Sequence, residues 1–277
     1  MVGLLLLTGA CSDDDGGAAG TTLPGSTTSS APSTSTSAPA TTTTTPPTST
    51  SVPATTTTGP PTSAPATTTP VGCTAADGAV PTGPDVATGQ VPDVDGDGRA
   101  DTAWMAVSDA AREMGIATAA GGVVRTRVDS ASPVALSLLV ADADGRAPVE
   151  LFVDDNRTVQ LWAFSDCQLV PVLNPQGQPY EFDRGFRGTG TGVGCVNTAE
   201  GRRLVGLNVD DPRPGDPPTL VRWTRTIIEL DGTSARNGAS TSGTFSHPGD
   251  DAAIDLLHQV TCGDRTMAAD GIRQPER

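Results

Sequence analysis

The sequence predicts an all-β domain of about three repeat units, with a short C-terminal helix and a disordered stalk before it. Residues 73–277 contain short apolar runs separated by Gly, Pro, Asn and Asp, which is typical of strands joined by turns. Residues 12–72 contain almost only Thr, Ser, Pro, Ala and Gly. These two compositions divide the chain into a linker and one folded domain large enough to bury a sizeable core.

The first eleven residues hold a short apolar run, Val2–Leu7, then three small residues and Cys11. The run is too short to span a bilayer but suits the apolar part of a signal peptide. Residues 7–11 resemble the lipobox of bacterial lipoproteins, in which cleavage precedes a cysteine that carries lipid. The resemblance implies a signal peptide and anchor over 1–11, lipidation of Cys11, and an exported protein anchored to the outer face of the cell membrane. The alternative is an ordinary signal peptide in which Cys11 is incidental.

Residues 12–72 are predicted to be disordered. Their composition offers too little apolar surface to offset the entropy of ordering the chain. Runs of threonine with interspersed proline resemble mucin-like stalks, so O-glycosylation is one hypothesis and a bare linker is the other. In either case the segment is predicted to act as a spacer that carries the folded domain away from the membrane.

The charge of the chain restricts the partners it can bind. The formal net charge is −15, and all 17 basic residues are arginine. Contacts with phosphates need a basic surface, so the composition argues against nucleic acid as a partner. We expect an unidentified protein or cell-wall ligand that is neutral, cationic or bridged by a divalent metal, in addition to the membrane contact through the lipid anchor.

Four cysteines lie in the predicted domain: Cys73, Cys167, Cys195 and Cys262. In an exported domain they indicate two disulfides, for which three connectivities are possible. We favour Cys167–Cys195, which flanks a hairpin-like segment, and Cys73–Cys262, which joins the two ends of the domain. The wide spacing of the cysteines does not favour a zinc site.

An acidic loop, an apolar strand and a second strand recur three times in the predicted domain. The loops open units that begin at Asp93, Asp142 and Asn197. Aligning the units on their glycines gives separations of 47 and 56 residues, which is in the range of blade-like repeats. The glycines used for this alignment are Gly98, Gly145 and Gly201. The helix is predicted within Pro248–Val260, because its apolar residues recur at helical spacing.

The first loop, DVDGDGRAD over residues 93–101, has the composition of a calcium site. Calcium takes six to eight oxygen ligands, and alternating carboxylates on a tight loop converge on one point. Gly96 and Gly98 permit the positive φ angles that such a loop needs. The alternative interpretation is an acidic turn in which the aspartates accept hydrogen bonds from their own loop.

This loop resembles the calcium loop of FG-GAP or VCBS repeats, the family that includes the integrin α-propellers. The resemblance implies a Ca²⁺ ion held by four carboxylates and one main-chain carbonyl. The implied ligands are Asp93, Asp95, Asp97 and Asp101, with the carbonyl of Arg99. It also implies a propeller-like arrangement, although three units are too few for a full propeller. The fold expectation is therefore a small propeller-like or irregular β-domain.

The other two loops depart from this pattern under the glycine alignment. In the second loop Val140 and Pro148 take the outer ligand positions, and in the third only Glu200 is acidic. Both are expected to be turns without metal. The three tryptophans fall one to a unit, each in an apolar strand, which favours core packing over a sugar-binding platform.

The sequence contains no G-x-S-x-G and no H-E-x-x-H motif, so the leading expectation is a protein that is not an enzyme. That hypothesis is a surface lipoprotein that presents a calcium-stabilised β-repeat domain to an envelope or extracellular partner. The first alternative is a secreted hydrolase or enzyme accessory domain with a carboxylate site. The second is a structural spacer of the envelope.

Overall fold

The computed structural model describes residues 72–75, 77–108, 111–185, 190–210 and 214–276, which form three larger antiparallel sheets, one two-stranded sheet and two short helices. The predicted signal peptide and Cys11 lie outside these residues, as does the linker apart from Gly72. In each sheet consecutive strands pair with their neighbours as a meander. The all-β prediction is confirmed.

The first sheet follows the first predicted unit. Its strands are β1 (Val86–Val91), β2 (Asp101–Val107), β3 (Arg112–Ala117) and β4 (Val123–Arg127). Turns with glycine at positive φ separate several of them, because only glycine adopts that backbone without strain.

The second sheet contains the second unit and lies between the other two. Its strands are β5 (Ser137–Ala141), β6 (Val149–Asp154), β7 (Thr158–Ser165) and β8 (Gln168–Pro171), with β9 (Glu181–Asp183) paired to β7. The third sheet has longer strands: β10 (Gly192–Thr198), β11 (Gly201–Asp210), β12 (Leu220–Asp231) and β13 (Ser234–Ser246).

The second sheet is apolar on both faces. Leu138 and Val140 of β5 pack in a core shared with the first sheet, whereas Leu139 packs in a core shared with the third. This alternation continues on β6, where Phe152 points to the opposite side from its neighbours. Side chains in a strand alternate between faces, so a continuous apolar run produces a sheet that is buried on both sides.

The C-terminal segment returns across the sheets. It consists of α1 (Asp251–Leu256), β14 (Thr261–Cys262), β15 (Arg265–Thr266), α2 (Met267–Asp270) and β16 (Ile272–Arg273). Strand β16 pairs with β5 and so extends the second sheet at its edge. The helix predicted within Pro248–Val260 is present as α1 but covers only Asp251–Leu256. In the described part of the chain no helix has the length and apolar character needed to cross a membrane.

The structure contradicts the favoured disulfide pairing. It joins Cys73 to Cys167 and Cys195 to Cys262. Val193 on β10 forms a parallel bridge with Val260, so two residues later Cys195 lies opposite Cys262. Cys167 and Cys195 are close in sequence but belong to the second and third sheets, which explains why they do not pair.

The tryptophans do not all pack in the core. Trp104 is fully buried and lies over Gly115 on the neighbouring strand, where an added Cβ would sit 2.3 Å from the indole. Trp162 is partly buried and packs against the core of the first two sheets. Trp223 lies over Gly243 in the same manner, but it is only partly buried and belongs to neither of the two cores that the described residues form. The core prediction is confirmed for Trp104 and wrong for Trp223.

Candidate functional site

The acidic loop connects β1 to β2, whose ends are fixed by the pairing of Val91 with Asp101. Asp93 organises the loop by accepting hydrogen bonds from three backbone N–H groups. Its Oδ1 accepts from Gly96 at 2.8 Å and from Asp97 at 3.2 Å, and its Oδ2 accepts from Gly98 at 2.7 Å. The two glycines have positive φ, as the sequence predicts.

Three of the predicted ligands come together. Oxygen atoms of Asp93, Asp95 and Asp101 lie within 4.8 Å of one another. Asp93 and Asp95 are half-buried, while Asp101 is only 1% exposed. Three acidic side chains therefore meet at one partly enclosed point. Carboxylate oxygens are the ligands that a hard cation such as Ca²⁺ prefers.

The carboxylate of Asp97 lies outside that group and is paired with the side chain of Arg99. The Oδ2 of Asp97 accepts hydrogen bonds from the Arg99 guanidinium at 2.6 Å and 3.0 Å, and its Oδ1 accepts from the Arg99 backbone N–H. The pKa of Asp97 is lowered, chiefly by the side-chain hydrogen bond from Arg99. The side chain of Arg99 is 60% exposed.

Asp101 is the most buried member of the group. Its Oδ2 accepts from the N–H of Val94 and its Oδ1 from that of Ala119, each at 2.8 Å. Burial nevertheless raises its pKa, and the negative charges of Asp95 and Asp93 raise it further. The two backbone N–H groups oppose this shift. A cation at this point would offset the repulsion among the three carboxylates.

Hydrogen bonds correct the alignment of the second loop with the first. The N–H of Gly145 donates to Asp142 as that of Gly96 donates to Asp93. Similarly, the N–H of Ala143 donates to Glu150 as that of Val94 donates to Asp101. The two loops therefore align without a gap, as DVDGDGRAD and DADGRAPVE. The glycine alignment was wrong by two residues, because it matched the G-R-A triplets instead.

The corrected alignment identifies Glu150 as a site residue that the sequence reasoning missed. Asp142, Asp144 and Glu150 take the places of Asp93, Asp95 and Asp101. The signal in the sequence was the shared D-x-D-G-x₄-[DE] spacing, which is clear once Asp and Glu are treated as equivalent.

Glu150 is itself an unusual carboxyl group. It is 2% exposed, and burial raises its pKa to about 8, with further contributions from the charges of Asp144 and Asp142. The N–H of Ala143, which donates to its Oε2 at 2.9 Å, opposes the shift. At neutral pH Glu150 is therefore mainly protonated in the folded protein.

The third unit has no comparable loop. Thr198 pairs with Gly201, so only two residues connect β10 to β11. The side chain of Glu200 is 79% exposed and pairs with Arg203. This tight turn lacks the length to gather several carboxylates.

The two acidic loops border one cleft of about 750 Å³. Asp93 and Asp95 of the first loop and Asp142 of the second line this cleft, together with the apolar side chain of Phe164. The Cys73–Cys167 disulfide also lines the cleft. The N–H of Cys73 donates to the Oδ2 of Asp95 at 2.7 Å, so the disulfide links the first loop to the β7–β8 turn.

Comparison with known proteins adds no relative. No family model, no curated protein and no solved structure matches this chain. The resemblance of residues 93–101 to FG-GAP and VCBS loops therefore stays a prediction.

Proposed function

We propose that this protein is a surface lipoprotein whose β-domain is stabilised by calcium and binds a protein or cell-wall ligand outside the membrane. The observation that carries the proposal is the convergence of Asp93, Asp95 and Asp101 at one point. The two disulfides agree with an oxidising, exported compartment. The lipid anchor at Cys11 and the spacer role of residues 12–72 are part of the same proposal.

The donor set fits a hard cation. Three carboxylates supply negative charge and oxygen ligands, and water or main-chain carbonyls complete the number that Ca²⁺ takes. Three of the four carboxylate oxygens of Asp93 and Asp101 accept a single backbone N–H and so keep a second lone pair, whereas the Oδ1 of Asp93 accepts two. When bound, calcium would offset two of the three negative charges of the group and hold the loop between β1 and β2.

Calcium binding is tested on the full chain by thermal unfolding and calorimetric titration, with Ca²⁺ or with EDTA. We expect Ca²⁺ to raise the melting temperature of the wild type and to have no effect on Asp101→Asn. The matched control is Asp142→Asn in the second loop, which we expect to keep the response. A wild type whose melting temperature is the same with Ca²⁺ and with EDTA contradicts the metal site.

Asp97→Asn separates two ligand sets. The family resemblance implies that Asp97 is a ligand, whereas in the structure its carboxylate is bonded to Arg99. If Asp97 binds metal, Asp97→Asn weakens calcium affinity as Asp101→Asn does. If the group is limited to Asp93, Asp95 and Asp101, Asp97→Asn retains most of the affinity.

Partner binding is tested by retention of envelope proteins and cell-wall fragments on the immobilised full chain, with Ca²⁺ or with EDTA. We expect a component that the wild type retains only with Ca²⁺ and that Asp101→Asn does not retain. The same component should be retained by Asp142→Asn if only the first loop holds calcium. Retention of nothing in any arm favours the spacer hypothesis.

A carboxylate hydrolase is the second candidate, favoured by the raised pKa of Glu150. A protonated acid at neutral pH suits general acid catalysis. Its 2% exposure, however, leaves little access for a substrate. Turnover of glycosidic or ester substrates by the wild type that is lost in Glu150→Gln supports this candidate over the binding module.

A further inference from the structure

The far end of the third sheet projects beyond the core. Leu204 on β11, Ile228 on β12 and Ala235 on β13 are buried in the core shared with the second sheet. Beyond them, no described residue of 207–210, 220–227 or 236–246 is buried. These strand ends form a three-stranded ribbon whose two faces and outer edge are open among the described residues.

One face of this ribbon carries an apolar cluster. Val209 pairs with Trp223, and Val221 pairs with Phe245, so the four side chains share a face. The rings of Trp223 and Phe245 are stacked, with centroids 5.7 Å apart. The indole lies over Gly243 and therefore reaches across β13 toward the outer edge. Its Nε1–H is buried and has no hydrogen-bond acceptor among the described residues.

The outer edge of β13 presents free backbone groups. His247 donates its N–H inward to the carbonyl of Thr219, so the even-numbered residues before it direct their N–H and C=O outward. The outward groups of Ser246 are bonded to Asp250. In the described part of the chain, those of Ser240, Ser242 and Thr244 have no partner.

From Ser240 to Phe245 this edge lacks the usual protection against strand pairing, although a register shift typical of a bulge lies just before it, between Asn237 and Ser240. Exposed edge strands normally carry charges, prolines or bulges that prevent another strand from adding to them. Residues 238–245 read GASTSGTF, with no charge and no proline. The charges lie at the two ends of the stretch, with Arg236 before it and Asp250 and Asp251 after it.

We propose that β13 pairs antiparallel with β13 of a second copy of this chain, centred on Ser242. That register places Ser240 of one copy opposite Thr244 of the other, so the outward backbone groups of both copies bond to each other. It also brings Arg236 of each copy toward the acidic end, Asp250 and Asp251, of the other. Arg236 also pairs with Glu229 of its own copy, but its side chain is 70% exposed and so stays within reach of the second copy. The uncharged stretch 238–245 lets two copies of a chain of net charge −15 meet without opposing carboxylates, which favours a second copy as the occupant.

The paired copies form one continuous eight-stranded sheet. Because a two-fold axis perpendicular to the sheet preserves its faces, the apolar clusters of the two copies lie on the same side. Thr241 of each copy is then placed next to Gly243 of the other, beside the indole of Trp223 that lies over that glycine. This inference is independent of the calcium proposal, because neither acidic loop takes part.

The test is sedimentation velocity of the full chain over a concentration series at 0.15 M salt, where the screening length of about 8 Å limits repulsion between the acidic copies. We expect the wild type and Ser242→Thr to dimerise reversibly, and Ser242→Pro to dimerise at least tenfold more weakly. Proline removes the outward N–H of Ser242 and is tolerated at an edge position of this kind. Unchanged melting temperatures show that the ribbon is still folded. A wild type that remains monomeric throughout, or a Ser242→Pro variant that dimerises equally well, overturns the proposal.

Cross-linking tests the register directly. In the proposed dimer Ser242 lies opposite itself, at a Cα separation of about 5.5 Å that suits a disulfide. We expect Ser242→Cys to form a covalent dimer under mild oxidation. Thr226→Cys is the matched control, because Thr226 pairs with Ser240 on the inner side of β13 and faces no second copy. Equal cross-linking of the two variants contradicts edge pairing.

Discussion

Replacement of Glu150 by glutamine should stabilise the protein at neutral pH and remove part of its pH dependence. Glutamine has the shape of the protonated acid and keeps an oxygen for the N–H of Ala143. It carries no charge at any pH. The variant therefore removes only the cost of keeping a carboxyl group in a site where burial disfavours its ionised form.

The size of the effect follows from the two pKa values. Burial raises the pKa of Glu150 from 4.5 in the unfolded chain to about 8 in the folded protein. Between these values the folded state binds one proton more than the unfolded state, so stability falls as pH rises. Each pH unit removes about 1.4 kcal/mol from the free energy of unfolding, which amounts to about 3 kcal/mol at pH 7. The loss is complete above pH 8 and absent below pH 4.5.

The assay is urea unfolding of the wild type and of Glu150→Gln at several pH values from 4 to 9, in EDTA. The difference in free energy of unfolding between the two proteins isolates the contribution of Glu150, since the other carboxyl groups are common to both. We expect glutamine to be nearly neutral at pH 4 and stabilising by about 3 kcal/mol at pH 7. Glu200→Gln is the control, because the side chain of Glu200 is 79% exposed. A difference that is the same at every pH would refute the reasoning.

Two further predictions concern packing and covalent structure. Gly115→Ala should lower the free energy of unfolding in urea by about 1–3 kcal/mol, because the added Cβ would sit 2.3 Å from the ring of Trp104. Gly206→Ala is the control and should be nearly neutral, because its Cβ would meet its nearest neighbour at 3.5 Å. The double replacement of Cys195 and Cys262 by serine should cost about 4 kcal/mol, given the sequence separation of 67 between them. Mapping of unreduced proteolytic peptides should recover that pair, and recovery of any other pairing contradicts the structure.

Local patterns in the sequence were enough to predict the class of the fold and the position of the first loop. Short apolar runs between turn residues predicted strands, and alternating aspartates with two glycines predicted a tight acidic loop. In the structure Asp93 accepts the backbone N–H groups of that loop. These features depend on residues that are neighbours in the chain. Asp97 shows the limit of the same reasoning, because its carboxylate is bonded to Arg99 and lies outside the acidic group.

Contacts between distant segments were decided only by the tertiary structure. The disulfide pairs follow from a parallel bridge between β10 and the segment after α1, which no local pattern encodes. The alternation of side chains along a strand also predicts which face of the sheet carries a tryptophan. It does not predict whether another sheet covers that face. Trp104 is buried and Trp223 is not, although both lie over a glycine of the neighbouring strand.

The sequence by itself determined an all-β chain with an acidic loop at 93–101, since strand alternation and turn chemistry act over a few residues. The tertiary structure alone decided which carboxylates meet, that Glu150 of the second loop is a buried counterpart of Asp101, and that the edge of β13 is open. The physical reason is that burial, pKa and exposure depend on which sheets pack together. That packing is the sum of many weak long-range contacts rather than a property of any one segment.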